Sequence, residues 1–460
     1  MKNRLLSTLL VALLATATFA QEKEKSKVSF KFYGFVRNYA CYDTRASYTS
    51  NSEQFYYMPK DVNYNEDKTE DLNAQDNIML LSITTRLGLN VTGLEFLGAK
   101  TSAKIESDFA GFGSSNTVLR IRQAYAKMEW EKNKLLVGQA WHPIMGDMMP
   151  DVFSLETGAP FTPFSRSPQV RYDFQTKGVT LTATALYQFQ YTSYGPDGGS
   201  FEYARNAIVP EVYLQGMIRN GGFMMGVGLD ILTLKPRQYY TTMEKEFVKN
   251  PIYQADGTPV LDANGEQVYA SVPTGNEVAV KHNSNKKFVS FTPTLFASYK
   301  KGDWGVKGRV TYAQNAAHLS MISGYGVTEK LDNGEWKYSS LNSISGWVDA
   351  TYKLNLKRGF FTFCCFAGYT KNLGCMNDIC KNDKGEFMLY MRGEKNMDYM
   401  WRVAPSVLYT HNALSVGVEY NPTTVGYSKN NGTDINDNYT MYNPHAVTNH
   451  RICAMLRYNF

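Results

Sequence analysis

The stretch Val179-Thr180-Leu181-Thr182-Ala183-Thr184-Ala185-Leu186-Tyr187-Gln188-Phe189-Gln190 sets Val179, Leu181, Ala183, Ala185, Tyr187 and Phe189 against Thr180, Thr182, Thr184, Gln188 and Gln190. Successive side chains of a strand point to opposite faces, so this segment has one apolar face and one polar or small face. Ala99, Thr101, Ala103, Ile105 and Phe109 alternate with Lys100, Ser102, Lys104, Glu106 and Asp108 in the same way. Leu414, Val416, Val418 and Tyr420 alternate with Ser415, Gly417 and Glu419. A soluble sandwich also alternates, but its strands run to about five or six residues. Segments of about 10–15 residues suit a strand that crosses a bilayer.

Working outward from these segments gives sixteen candidate strands. They lie near 28–43, 78–92, 99–110, 117–131, 134–141, 168–175, 177–190, 207–219, 221–235, 287–300, 304–316, 341–355, 359–371, 397–410, 412–426 and 447–460. Short links such as Glu131-Lys132-Asn133, Asn220-Gly221 and Lys301-Gly302-Asp303 alternate with long ones at 44–77, 142–167, 236–286, 317–340, 372–396 and 427–446. This is the asymmetry of short periplasmic turns and long extracellular loops. The expected fold is all-β: a 16-stranded antiparallel transmembrane β-barrel in the bacterial outer membrane. Alternation fades after Ala126, and Pro293 and Pro405 remove ladder donors, so bulges or register shifts are expected there.

Composition agrees. The chain has 460 residues, 14% aromatic with 32 Tyr, and a mean hydropathy of −0.36. A barrel hides its apolar residues at every second position, so its average looks soluble. Lys2 and Arg4, the apolar run from Leu5 to Phe19 and Thr18-Phe19-Ala20 read as a leader over 1–20, leaving 21–460 as one barrel domain. Removing Lys2 and Arg4 with the leader lowers the net charge from +6 to +4, too small a bias to point to nucleic acid. The last segment alternates through Ile452, Ala454, Leu456 and Tyr458 and ends on Phe460, the kind of ending that outer-membrane assembly reads.

The motifs of catalysis are missing. There is no His-Glu-x-x-His pair, no phosphate-binding loop and no Gly-x-Ser-x-Gly elbow. Gly111-Phe112-Gly113-Ser114-Ser115 lies between two strands and reads as a tight loop. Cys375 and Cys380 fall in a loop-like stretch and could bridge, while Cys364 and Cys365 read as small apolar strand residues. No metal and no cofactor are expected. The six histidines are scattered near loops and strand ends, with no pair close enough to suggest a catalytic site.

The chemistry therefore rests on the inward face. Placing the apolar face on lipid sends Arg37, Arg86, Lys104, Arg171, Arg309 and Arg402 into the lumen, with Lys31 and Lys307, and Arg120 and Arg122 follow if Leu119 and Ile121 face lipid. A charge facing mid-bilayer lipid costs roughly 2–4 kcal/mol for Arg or Lys. Glu106, Asp108, Asp173, Asp230, Asp349 and Glu419 share that face, so the charges either pair and hydrate the lumen or set an anion preference. The 142–167 connection, with Pro143, Asp147, Asp151 and Arg166, also holds Pro150, Pro160, Pro163, Met148, Phe161 and Phe164. Such a loop packs inward as a constriction or against a neighbouring subunit, and the inward reading is preferred.

Several blocks resemble the trimeric porins of the dicarboxylate-porin (DcaP-like) family. These are Gly34-Phe35-Val36-Arg37 with Tyr42-Asp43, Lys104-Ile105-Glu106-Ser107-Asp108-Phe109, Leu119-Arg120-Ile121-Arg122-Gln123-Ala124-Tyr125, Leu136-Val137-Gly138-Gln139-Ala140-Trp141 and Pro168-Gln169-Val170-Arg171-Tyr172. Ala140 stands where the family usually has Thr, and the long 236–286 connection could carry an extra hairpin around 262–267. The resemblance implies a homotrimer among outer-membrane lipid and lipopolysaccharide. It also implies passive passage of small hydrophilic, anionic solutes of the carboxylate type, with Arg120, Arg122 and Arg171 as lumen arginines. An adhesion or binding barrel acting through its loops is the first alternative, and a barrel enzyme such as a phospholipase is the second.

Overall fold

A computed structural model describes residues 28–50, 55–111, 118–146, 148–153, 158–429 and 434–460. The leader and Asp147 lie outside these residues, as does most of the glycine-rich loop after Gly111. Sixteen staves form one closed antiparallel barrel. They are β1 (Ser29–Asp43), β2 (Asn77–Leu81 continued by Arg86–Phe96), β3 (Ala99–Asp108), β4 (Arg120–Glu129), β5 (Asn133–Trp141), β6 (Arg166–Thr176), β7 (Val179–Leu186) and β8 (Glu211–Asn220). The second half comprises β9 (Phe223–Leu234), β10 (Phe288–Lys301), β11 (Trp304–Gln314), β12 (Trp336–Asn355), β13 (Phe360–Cys375), β14 (Met397–His411), β15 (Leu414–Tyr427) and β16 (His445–Asn459). β1 pairs with β16 on one side and β2 on the other, which closes the wall and leaves no free edge.

Alternation works as the sequence demands. On β7, Leu181 is 52% exposed on the outer wall, whereas Thr182 and Thr184 are buried on the inner one. At the end where the turns are short, the outer wall carries exposed Phe32, Phe96, Phe223, Tyr299, Trp304 and Tyr458. These amphipathic rings form a girdle at the level where hydrocarbon meets headgroups.

Neither internal proline shifts the register. Pro293 pairs opposite Leu229 in an unbroken β9–β10 ladder. The β14–β15 ladder lapses between Arg402↔Thr423 and Ser406↔Glu419 around Pro405, then resumes in the same register. Irregularities fall elsewhere: in β2–β3 between Thr92 and Leu94, in β3–β4 between Glu106 and Ser107, in β12–β13 between Asn342 and Ser343, and in β14–β15 between Met397 and Tyr399.

The cysteines pair differently from the expectation. Cys41 and Cys453, directly opposite on β1 and β16, form a disulfide across the seam. Cys375 and Cys380 are free thiols. Cys375 ends β13 in a buried setting, while the backbone N–H of Cys380 is tied to the Val327 carbonyl on another loop strand. Cys364 is also more than a small apolar residue, since its thiol donates to Asp349 Oδ1 and the Asp151 carbonyl, each at 2.9 Å.

The long 236–286 connection does form a hairpin, of two long strands, Tyr239–Pro251 and Tyr269–Asn283, as a sheet separate from the barrel wall.

Candidate functional site: the loop-crossed lumen

A barrel of sixteen strands leaves an interior too wide for its own side chains to fill. Here the outer loops enter it. Counting every outer connection in chain order, the third loop, residues 142–165, closes at its root where the His142 N–H donates to the Ser165 carbonyl at 3.1 Å. It then crosses to the opposite wall. Arg309 on β11 donates to the Met145 carbonyl at 3.3 Å. The Asp151 N–H donates to Asp349 on β12, and the Phe153 N–H donates to Glu419 on β15 at 2.7 Å. Farther along, Arg402 on β14 donates to the Ala159 carbonyl and Ser345 on β12 to the Phe161 carbonyl. The Phe161 ring packs on Phe366 of β13, with centroids 6.0 Å apart. Inward-facing polar side chains of β11, β12, β14 and β15 thus satisfy the backbone of a loop that carries few regular hydrogen bonds of its own.

Sequence reasoning did not anticipate that the first loop enters as well. Phe55–Pro59 is buried throughout. Arg402 donates to the Tyr57 carbonyl at 2.9 Å, and the Tyr57 hydroxyl donates to the Ser320 carbonyl in the sixth loop, residues 315–335. Met58, Met148, Phe161, Ile322, Trp347 and Phe366 belong to one apolar core inside the barrel. Five consecutive residues, Phe-Tyr-Tyr-Met-Pro, in a connection expected to be solvated were the available signal.

The cations that alternation assigns to the inward face meet different environments. Arg120 and Arg122 are largely sealed from water and clamp the β3 carboxylates. Arg120 Nε lies 2.6 Å from Asp108 Oδ1, and Arg122 reaches Asp108 Oδ2 at 2.7 Å and Glu106 Oε1 at 2.9 Å. Arg86 and Lys104 approach the same Glu106 at 3.7 and 3.8 Å. Phe55 from the first loop and Trp141 cover the two arginines, with their guanidinium carbons 5.9 and 5.5 Å from the ring centres. They therefore do not form the open ladder that their spacing suggests. Arg309 and Arg402 are consumed by loop carbonyls. Arg166 is the first residue of β6, fully buried against the rings of Trp141 and Phe164, and so stands at the root of the third loop and not at its tip. Pro143 is buried at the opposite root, while Asp151 is exposed and pairs with Lys307 at 2.8 Å.

Two cavities flank the crossing loop. A cavity of about 770 Å³ lies on the short-turn side, lined by the cations Arg37, Lys300, Lys307, Lys353 and Arg457 against the acids Asp151 and Asp303. A second, of about 250 Å³, lies between the third loop and the inner wall and includes Arg171, Arg309, Gln123 and Gln215 but no carboxylate. Arg171 remains 27% exposed there, with its Nε 2.9 Å from Asp173.

Residues 6–199 match the family model of the DcaP outer membrane protein. Over that stretch the chain is similar to this family. The DcaP channel of Acinetobacter baumannii superposes with a TM-score of 0.60 at 18% identity, covering 96% of this chain and 100% of that one. OmpF of Salmonella typhi, solved with daunomycin, covers the same shares at 12% identity and a TM-score of 0.49. OmpT of Vibrio cholerae does so at 11% and 0.47. No match is found among curated proteins. The strand count and the closure of the barrel agree with the reading of its alternation.

Proposed function

We propose that the barrel is a diffusion porin with a preference for small anions, its passage narrowed by the third loop and bounded by basic walls. The observation that carries this reading is the charge of the larger cavity. Five cations face two acids in the larger, and the smaller has Arg171 and Arg309 in its lining, the first paired with Asp173 and the second spent on the Met145 carbonyl. In a narrow lumen with low-dielectric walls such an excess raises the local concentration of carboxylates. Arginine suits the task because its planar guanidinium stays charged and matches a carboxylate with two parallel donors. Among the cations first placed in the lumen, Arg171 is the one proposed to meet solute in the narrow part, with Arg37 below the loop. Arg120 and Arg122 are instead engaged by Asp108 and Glu106.

The test is single-channel conductance in a planar bilayer, with the reversal potential under a salt gradient. Open steps with a reversal potential of anionic sign are expected. A sealed bilayer would favour the adhesion reading, and cation preference would refute the assignment of the basic walls. The experiment belongs at low salt, because exposed charges are screened beyond about 10 Å at 0.1 M.

The same reading extends to a homotrimer. Outward positions on β1–β5 include polar Asn38, Thr101, Ser107 and Gln139, whereas β8–β11 present Leu214, Val227, Leu295 and Val310. Polar side chains facing outward are better accommodated against another protein wall than against acyl chains. Chemical cross-linking of the native detergent extract is expected to stop at three chains.

A further inference from the structure

Four ionisable side chains from four separate elements share a dry site near the outer ends of β5, β8 and β9. His142 opens the third loop, Glu211 begins β8, Asp230 lies on β9, and His318 sits in the short turn Ala317–Leu319 of the sixth loop. Each side chain is at most 2% exposed. Both imidazoles converge on one oxygen, with His142 Nε2 at 2.7 Å and His318 Nε2 at 3.0 Å from Glu211 Oε1. Asp230 flanks both rings, 3.8 Å from His142 Nε2 and 3.7 Å from His318 Nε2. Glu211 Oε2 and Asp230 Oδ1 are buried without a hydrogen-bond partner.

The partners of these groups locate the protons. The Ile144 N–H donates to His142 Nδ1 at 3.2 Å, so the one proton of that ring sits on Nε2 and is donated to Glu211. His142 is therefore neutral and presents no free nitrogen lone pair to a metal. That leaves His318 as the only cation of the four, facing two carboxylates. With both carboxylates ionised, a net negative charge would be buried away from water, which is costly. Two carboxyl groups in such a site resolve this by keeping one proton between them.

The surroundings offer little other compensation. Ile144, Leu186, Leu319 and Met321 make the site apolar. Among the described residues, Tyr213, Arg309 and Arg392 stand near it, and their hydrogen bonds run to Gln215, to Thr294 with the Met145 carbonyl, and to the Ala317 carbonyl.

We infer that His142, Glu211, Asp230 and His318 form a proton-operated latch: with one proton shared by its carboxylates, the cluster ties the third and sixth loops to the barrel wall, and loss of that proton loosens both loops and widens the passage. The mechanical link is direct. The Phe164 N–H donates to the Leu319 carbonyl at 2.7 Å, and Ser320 Oγ donates to the Phe164 carbonyl at 3.0 Å, so the two loops move together. Burial pushes the His318 imidazole down, but Glu211 and Asp230 outweigh it and raise it to about 10, so that ring stays charged while the carboxyl proton leaves. The latch rests on the channel reading above, and the two fail differently.

The experiment is single-channel conductance of the full chain between about pH 5 and pH 8, the range in which imidazole and perturbed carboxyl groups titrate. Wild type, Asp230→Asn and His318→Gln are compared, with heat-modifiable gel mobility as the check on folding. Conductance of the wild type is expected to rise with pH. Asp230→Asn keeps the shape of the acid without its charge and holds the low value throughout. His318→Gln removes the only cation, so the carboxylates hold their proton more tightly and the rise in conductance moves to higher pH. Absence of any conductance defeats the channel reading. Identical pH profiles for wild type and Asp230→Asn overturn the latch, and this comparison decides the matter if His318→Gln does not fold. If a chelator abolishes the pH step and zinc alone restores it, the cluster holds a metal and the latch is overturned as well.

Discussion

At the scale of single residues, alternation assigns a side chain to a wall but not to water. Arg120 and Arg171 share the inner wall, yet Asp108, which binds Arg120, is fully buried, whereas Arg171 remains partly open. Removing Arg120 leaves a buried carboxylate short of a partner, a change that costs about 3–5 kcal/mol when a buried pair is broken. Arg120→Ala is accordingly expected to lower the temperature at which the folded gel band is lost, with little change in ion preference per surviving channel. Arg171→Ala is expected to do the reverse, keeping that temperature and moving the reversal potential toward zero. Equal effects of the two on ion preference would show that burial does not divide these arginines. The spacing of Arg120 and Arg122 was legible in the sequence, but their cover was not, because Phe55 arrives from a loop with no periodic relation to β4.

At the scale of elements, the strands were legible and the loops only partly so. A strand that faces lipid and lumen repeats its pattern every two residues, so β7 and β15 declare themselves locally. The third loop declared itself through proline and apolar content, whereas the first left only the short run Phe55–Met58. Both loops are held by side chains of the far wall, such as Arg402, which donates to the carbonyls of Tyr57 and Ala159. The barrel does not depend on the third loop for its own ladder. Replacing residues 148–161 with a short Gly-Ser linker is therefore expected to raise conductance while gel mobility still reports a folded barrel. Unchanged conductance in a correctly folded variant would mean that the passage lies elsewhere.

At the scale of the whole molecule, closure is the decisive event. β1 and β16 are the ends of the chain, and Cys41 and Cys453 join them across 412 residues of sequence. A cross-link over so long a loop restricts the unfolded chain strongly, and losing a native disulfide typically costs about 2–5 kcal/mol. Cys41→Ser with Cys453→Ser is expected to lower the unfolding temperature of the barrel without altering conductance, and reductant is expected to reproduce the shift in wild type but not in the variant. A wild type indifferent to reductant would show that the seam is held by its ladder alone. The same closure places Cys375 and Cys380 on different supports, which is why nearness in sequence misled there.

What the amino-acid order determined by itself is everything that depends on a period of two: the number of staves, their direction, the face each side chain takes and the asymmetry of the connections. Those are local properties, since each residue's orientation follows from that of its neighbour. What only the tertiary structure decided is which inward groups meet. The Arg122–Glu106–Asp108 clamp, the loops folded onto the far wall, the seam disulfide and the convergence of His142 and His318 on Glu211 all join residues with no common period. Their partners are set by the curvature of a closed wall and by charge that cannot be buried alone, and neither is written in any single stretch of chain.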